Sequence, residues 1–227
     1  MFQGFSQETV DFMWGIRFNN ERSWFMEHKA DYQKYFYDPM KALGADVQAK
    51  LLEKFPDSGL NVKISRIYRD ARRLFGRGPY KDHLWISFYR GDSKEDGARP
   101  VLWFELAPEG WSYGMGFWCA KPVTMVKHRA RIDRDHRPML KLAQMLERQD
   151  EFVLEGPDYS KLSHPSPHEA LTEWYKKKSL ALIHEEPLTE ELYSHEFVDR
   201  LVEGFTFLMP YYDYFSTIWA DPDPRTT

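Results

Sequence analysis

The sequence contains one cysteine, Cys119, among 227 residues. An internal disulfide is therefore impossible, as is any CxxC or Cys–His zinc framework. Long apolar runs are missing too. The longest uncharged stretch, Gly110 to Ala120, is 11 residues, well short of the roughly 18 that a membrane-spanning helix needs. The first charge is Glu8, with no basic segment ahead of an apolar one, so no signal peptide is predicted. There is no Gly-x-Ser-x-Gly elbow, and Cys119 has no adjacent histidine, which removes the common signatures of a nucleophilic hydrolase. Internal repeats and low-complexity segments are absent. These absences leave a soluble, cytoplasmic globular protein without a membrane segment, long enough to bury a sizeable core.

The charge that is present is unevenly spread. The chain carries a net −4, which argues against a generic polyanion binder and against nucleic acid as a partner. Lys63 to His83, however, has seven basic residues against Asp70 and Asp82, and Lys121 to Lys141 has seven against Asp133 and Asp135. Two basic islands in an otherwise acidic chain could converge on one anion, or each could be a solvated face paired with its own acidic neighbours.

Helical spacing dominates the N-terminal quarter. Ser6 is placed to cap a first helix bearing Val10, Met13, Trp14 and Phe18, and a second carries Trp24, Phe25, His28, Tyr32 and Phe36 on one stripe. Asp38-Pro39 reads as an N-cap and first-turn proline of a third helix that runs to about Phe55. Alternation then predicts strands at Val62–Arg69, Leu84–Arg90, Val101–Ala107 and Trp111–Trp118, with Pro108-Glu109-Gly110 turning the last two into a hairpin. The first of these alternations places Arg66 on the face of Val62 and Ile64. Gly114 and Gly116 clear one strand face, either for a bulge or for something packed close, and Gly91 to Pro100 reads as a loop. Helices are predicted from Pro122 to about Asp133, from Pro138 to Arg148, and after Ser194, the last kinked or ended by Pro210. Short strands are expected at Phe152–Glu155 and Ser179–Ile183, with a loop from Pro157 to Pro167. Helices at both ends with consecutive strands between them indicate an α+β fold, one domain over 1–227 with a largely antiparallel sheet. Its core is expected at about 2–215, followed by a loosely held tail at 216–227.

The chemistry concentrates between Arg66 and His83. Guanidinium forks suit phosphate or carboxylate because two parallel N–H···O bonds form at once, and Arg66, Arg69, Arg72 and Lys81 cluster around one strand connection. The competing arrangement is an internal network in which Asp70 and Asp82 hold the arginines. Gly76 to Lys81 lacks the Gly-Lys-Ser/Thr ending of a nucleotide loop. His164-Pro-Ser-Pro-His168 has a ligand-like spacing, but its prolines exclude a shared helical face, so neither metal nor cofactor is predicted. Acid–base work would fall to Asp70, His83 or Glu105.

Asn19-Asn20-Glu21-Arg22-Ser23-Trp24-Phe25 resembles the Asn-Asn-x-x-x-Trp-Phe opening of a widespread bacterial family catalogued as domain of unknown function 2461. That family's central signature, roughly Arg-x-x-Arg-Asp-x-Arg-Phe followed by Pro-Tyr-Lys, is matched by Arg66, Arg69, Asp70, Arg72, Pro79, Tyr80 and Lys81. Gly114 and Gly116, then Arg129 and Arg131, are similar to its later blocks, and the resemblance spans most of residues 2 to 215. It implies one intracellular α+β domain and no established activity. The family usually has Phe-Ser-Lys-Asp-Lys where this chain has Arg73 to Gly78, so a role resting on that lysine–aspartate pair has no counterpart here, although Arg77 keeps a positive charge.

The leading expectation is thus a cleft for a small anionic or phosphorylated ligand, gripped by Arg66, Arg69, Arg72 and Lys81. Tyr80 and His83 would donate hydrogen bonds, and Arg129 and Arg131 would approach from the second island. The alternatives are a metal-independent enzyme on a phosphoester or carboxylate substrate with Asp70 or His83 as acid–base group, and a protein-interaction or nucleic-acid-binding module that uses its aromatic, basic surface. The sequence does not specify an oligomeric state.

Overall fold

The computed structural model describes residues 1–74, 76–91 and 99–226; most of the loop expected at Gly91 to Pro100, together with Phe75, lies outside the described residues. Six strands form one antiparallel sheet in the order β1-β2-β3-β4-β6-β5. They are β1 (Asn61–Ile64), β2 (Leu84–Tyr89), β3 (Val101–Ala107), β4 (Gly110–Gly116), β5 (Val153–Glu155) and β6 (Ala181–Pro187). The main helices are α1 (Gln7–Phe18), α2 (Arg22–Glu27), α3 (Asp38–Lys54), α4 (Pro122–Arg134), α5 (Arg137–Leu146) and α6 (Phe197–Ser216). This is the α+β class expected from the sequence. The chain divides into two compact units. The first comprises Met1–Gly91, Trp103–Tyr113 and Glu185–Gly204; the second contains Gly114–His184, the chain from Phe205 onward, and a short piece ending at Leu102.

In the first unit the sheet is two-faced. Leu84, Ile86 and Phe88 of β2, Phe104 and Leu106 of β3, and Trp111 and Tyr113 of β4 are buried. Each such side chain removed from water contributes roughly 1.5–3 kcal/mol. Phe104 packs at 5.5 Å from Phe197 and 6.2 Å from Phe5, and Trp111 meets Phe197 edge-on at 5.0 Å. The alternate residues Trp85, Ser87, Tyr89, Trp103, Glu105, Ala107 and Ser112 are only half buried, leaving a polar and aromatic face beside the core.

Helix α1 buries Thr9, Phe12, Met13 and Ile16, a stripe rotated from the one expected. Phe18 is exposed, and Trp14 and Phe18 stack on each other at 5.6 Å. The Asp38-Pro39 step also differs from expectation. Tyr37 and Asp38 have helical dihedrals, and a π-helical turn, Tyr32–Tyr37, runs straight into α3. Proline lacks the N–H that would bond four residues back, and its ring crowds that carbonyl. The widened turn relieves the crowding, and the freed carbonyl of Tyr35 accepts a hydrogen bond from Thr9 Oγ1 at 2.5 Å.

The strand expected at Val62–Arg69 is shorter than its alternation suggested. β1 pairs with β2 only from Asn61↔Tyr89 to Ile64↔Ile86. At the next position Ser65 N–H donates to Trp85 O at 2.8 Å, while Trp85 N–H donates to the Ser65 hydroxyl at 3.1 Å instead of to a main-chain carbonyl. The ladder breaks there and the faces swap, so Ser65 and Ile67 are buried while Arg66 and Tyr68 are exposed. The continuation pairs with a different segment: Tyr68 bridges Tyr80, Arg69 N–H donates to Pro79 O at 2.8 Å, and Lys81 N–H donates to Ile67 O at 2.7 Å.

The second unit packs Trp174 against Tyr211 and Phe215, with centroids 6.1 and 6.3 Å apart. Gly116 sits where an added Cβ would come within 2.5 Å of Leu180 O, the close backbone approach that the cleared strand face anticipated. Helix α6 continues through Pro210 to Ser216. The stretch expected as a loose tail is anchored up to Asp221: Ile218 is buried, Lys127 Nζ donates to Trp219 O at 2.7 Å, and Asp221 pairs with Arg131 at 2.6 Å.

Candidate functional site

The break in β1 and its second pairing bring Ile67–Arg69 beside Pro79–Lys81 within the first unit. Asn20 fixes this crossing. Its Nδ2 donates to Tyr80 O at 3.0 Å, and Tyr80 N–H donates to Asn20 Oδ1 at 2.9 Å. Gly78 is required beside it, because a Cβ there would lie 2.1 Å from Asn20 Oδ1. The Tyr80 ring is buried and stacks on Phe25 at 4.3 Å, and that burial raises its hydroxyl pKa. Tyr80 is therefore part of the floor that positions the next residue.

That residue is Lys81. It is only 8 % exposed, and its Nζ lies 4.0 Å from the centroid of the Trp85 ring. Among the described residues, no hydrogen bond or ion pair reaches Nζ. A lysine so placed loses most of its hydration with only an aromatic face in exchange. Burial is the main cause of a pKa lowered to about 8, with Arg69 and Arg66 adding repulsion and Glu105 opposing it.

Three acid–base groups surround it. Glu105, on the half-buried face of β3, makes no hydrogen bond or ion pair among the described residues. Its carboxyl is raised, first by burial and then by Glu185 and Asp82, with His83 and Lys81 pulling the other way. His83 lies 6.0 Å from the Trp85 ring, and its Nδ1 is 2.9 Å from Asp82 Oδ1. Asp82 is the hub of a half-buried network: Arg17 Nε meets it at 2.5 Å and Arg69 Nη2 at 3.5 Å. The His83 hydrogen bond, followed by that of Arg17, holds its carboxyl well below the usual carboxylate range. Arg17 also grips Glu109. Beyond Glu105 lies an open pocket of 420 Å³, lined by Glu105, Glu109, Ser112, Glu185, Glu186 and their neighbours.

The remaining candidates have other surroundings. Arg66 is exposed, with no hydrogen bond or ion pair among the described residues. Arg69 donates to Tyr80 O at 2.7 Å in addition to pairing with Asp82. Arg72, whose side chain is 87 % exposed, is held by Asp70 through Nε–Oδ1 at 3.0 Å and Nη2–Oδ2 at 2.8 Å. Asp70 also accepts from Arg72 N–H at 3.0 Å, which closes the turn Ala71–Arg73. Arg129 and Arg131 belong to the second unit. There Arg129 lies 4.8 Å from the centroid of the Tyr159 ring, and Arg131 is engaged by Asp221, Tyr214 O and Thr217.

Glu105 was legible in the sequence as an acid–base candidate. Arg17 was missed: its partners Asp82 and Glu109 lie 65 and 92 residues away, and nothing local to α1 signals them. Among the described residues, no three histidine, cysteine, aspartate or glutamate side chains group as metal ligands.

No curated protein compared with the chain matches it. The family described as "Conserved hypothetical protein (DUF2461)" matches residues 8–214, a span containing the Asn20–Tyr80 clasp, Lys81 and Glu105. The chain belongs to that family.

Proposed function

We propose that the half-exposed sheet face of the first unit binds a small anionic ligand, a carboxylate or a phosphate, over Lys81. One observation carries this reading: a lysine that is more than nine-tenths buried as a residue has no anionic side chain among the described residues in contact with its amine. A bound anion would supply the missing hydrogen bonds and offset the desolvation. Arg66, exposed and unpaired among the described residues, adds a second positive charge. Glu109, Glu185 and Glu186 repel an anion from the adjoining pocket, so the charged end of the ligand faces Lys81 and its remainder faces the pocket. Arg72, already forked onto Asp70, is not needed for the grip.

A second reading, that the site also turns its ligand over without a metal, is favoured by the opposed shifts of Lys81 and Glu105. Each is displaced toward its neutral form, the condition for exchanging protons near neutral pH. His83, oriented by Asp82, is the third group, whereas Asp70 is occupied by its own turn.

Thermal-shift and calorimetric titration with a panel of small carboxylates and phosphates tests the binding reading. Wild-type protein is expected to bind at least one of them, and Lys81→Met, with unchanged circular dichroism, to lose at least tenfold in affinity. Equal affinity in the variant, or no binding by the wild type, would refute it.

A further inference from the structure

We infer that Lys81 Nζ is a nucleophile toward a carbonyl carbon, so that the ligand of this site is an oxo acid that condenses with it to an imine. This deepens the anion-binding reading and rests on it.

Four features of the first unit support the inference. The amine is unpaired among the described residues, so no ion pair has to break before it attacks. The Trp85 ring covers one side of the amine at 4.0 Å; its face attracts the ammonium only weakly while displacing water that would solvate the charge. Arg66 and Arg69 are its cationic neighbours. Desolvation and adjacent cations are the two devices that make a lysine nucleophilic, and both are present. Finally, Glu105 interacts electrostatically with Lys81, and His83 lies 6.0 Å from the same Trp85 ring, two groups able to carry protons.

The chemistry balances without an oxidant or reductant. The Nζ lone pair forms the C–N bond as the carbonyl π bond opens onto oxygen, and a proton passes from nitrogen to that oxygen, giving a carbinolamine. Glu105, held toward its protonated form by burial, donates to the departing hydroxyl. Water leaves and the C=N bond remains. Once Lys81 has been consumed in the imine, Arg66 holds the carboxylate of the oxo acid. An aldehyde or ketone without an anionic group would lack that anchor.

The test is reductive trapping with glyoxylate and cyanoborohydride, followed by peptide mapping. Cyanoborohydride reduces any imine to a stable amine bearing one carboxymethyl group. Lys81 is expected to be labelled at least about tenfold faster than the exposed Lys63 and Lys121, with its rate rising to half-maximum near pH 8. Lys81→Arg, folded by circular dichroism, should leave only the slow background. Labelling of Lys81 no faster than of Lys63 overturns the inference. Malonate, an anion without a reactive carbonyl, separates this proposal from the one beneath it. Slow labelling with malonate still bound by wild type and lost in Lys81→Met overturns the imine and keeps the anion site. Fast labelling that malonate does not slow supports the imine and counts against the anion reading.

Discussion

Asn20 clasps the peptide group of Tyr80 from 60 residues away, giving one hydrogen bond from its Nδ2 and taking one at its Oδ1. The two bonds satisfy both polar groups of a main-chain link that no strand neighbour covers, and they deliver Lys81 to the Trp85 ring.

Asn20→Ala leaves the Tyr80 N–H without a partner in a part-buried position, while the Tyr80 C=O keeps its bond from Arg69 Nε, at a cost of about 1–3 kcal/mol. Gly78→Ala drives a methyl group into the Asn20 side chain and should destabilise by a comparable amount. Because both act through one contact, their effects are not additive. Chemical denaturation of the two single variants and the double variant should show Gly78→Ala adding little once Asn20 has been shortened; full additivity would disprove the clasp.

Lys81 is expected to lower the stability of the fold that carries it. With its pKa lowered to about 8 by burial, the folded state binds fewer protons than the unfolded one between about pH 8 and the ordinary lysine value near 10.4. Stability therefore rises with pH through that window, and below pH 8 the full penalty, about 3 kcal/mol, is present. Lys81→Met should accordingly be more stable than wild type by about 1–3 kcal/mol at pH 7, with the difference shrinking by pH 10. Urea melts at the two pH values measure this. A variant less stable at pH 7 would mean that the amine has a partner in the folded protein.

His128, on α4 in the second unit, is fully buried, with neither ring nitrogen hydrogen-bonded among the described residues. It packs 5.2 Å from the Phe215 ring. Burial, with Arg129 and Arg131 adding to it and the nearby Trp174 main chain opposing, lowers its pKa to about 3. The unfolded state therefore takes up a proton near pH 6.5 that the folded state refuses, and stability is lost as pH falls from 6.5 toward 3. His128→Leu removes the titrating group and two orphaned polar atoms. Its stability should fall less steeply than that of wild type between pH 6.5 and 4, by on the order of a few kcal/mol; parallel acid profiles would contradict this.

Much of the fold was legible where local signals agree. The hairpin of β3 and β4 follows from two alternating runs around Pro108-Glu109-Gly110, and α4 follows from the proline at its start and the apolar spacing along it. The failures have specific causes. Val62 to Arg69 alternates without interruption, and nothing in that pattern shows that the Ser65 hydroxyl replaces a ladder carbonyl and turns Arg66 outward. Asp38-Pro39 has the form of a helix start, but Thr9, about thirty residues earlier, supplies the donor that lets the chain run through it. The site was legible as chemistry and less so as geometry. Lys81 and His83 stood out within the basic island, whereas Arg17 and the approach of Glu105 to Lys81 depend on pairings remote in sequence.

The second pairing, Ile67–Arg69 with Pro79–Lys81, ties off the chain between its two arms like a purse-string. Gly78 apart, which must stay small beside Asn20, the intervening turn can change and the residues after the knot still begin from the same place. The departure from the family pattern at Arg73 to Gly78 falls inside that tied-off span, so the turn can diverge without moving Lys81 or His83. The two ends of the basic motif are under different constraints: the outer end is free to vary, and the inner end is held by Asn20, Trp85 and Asp82.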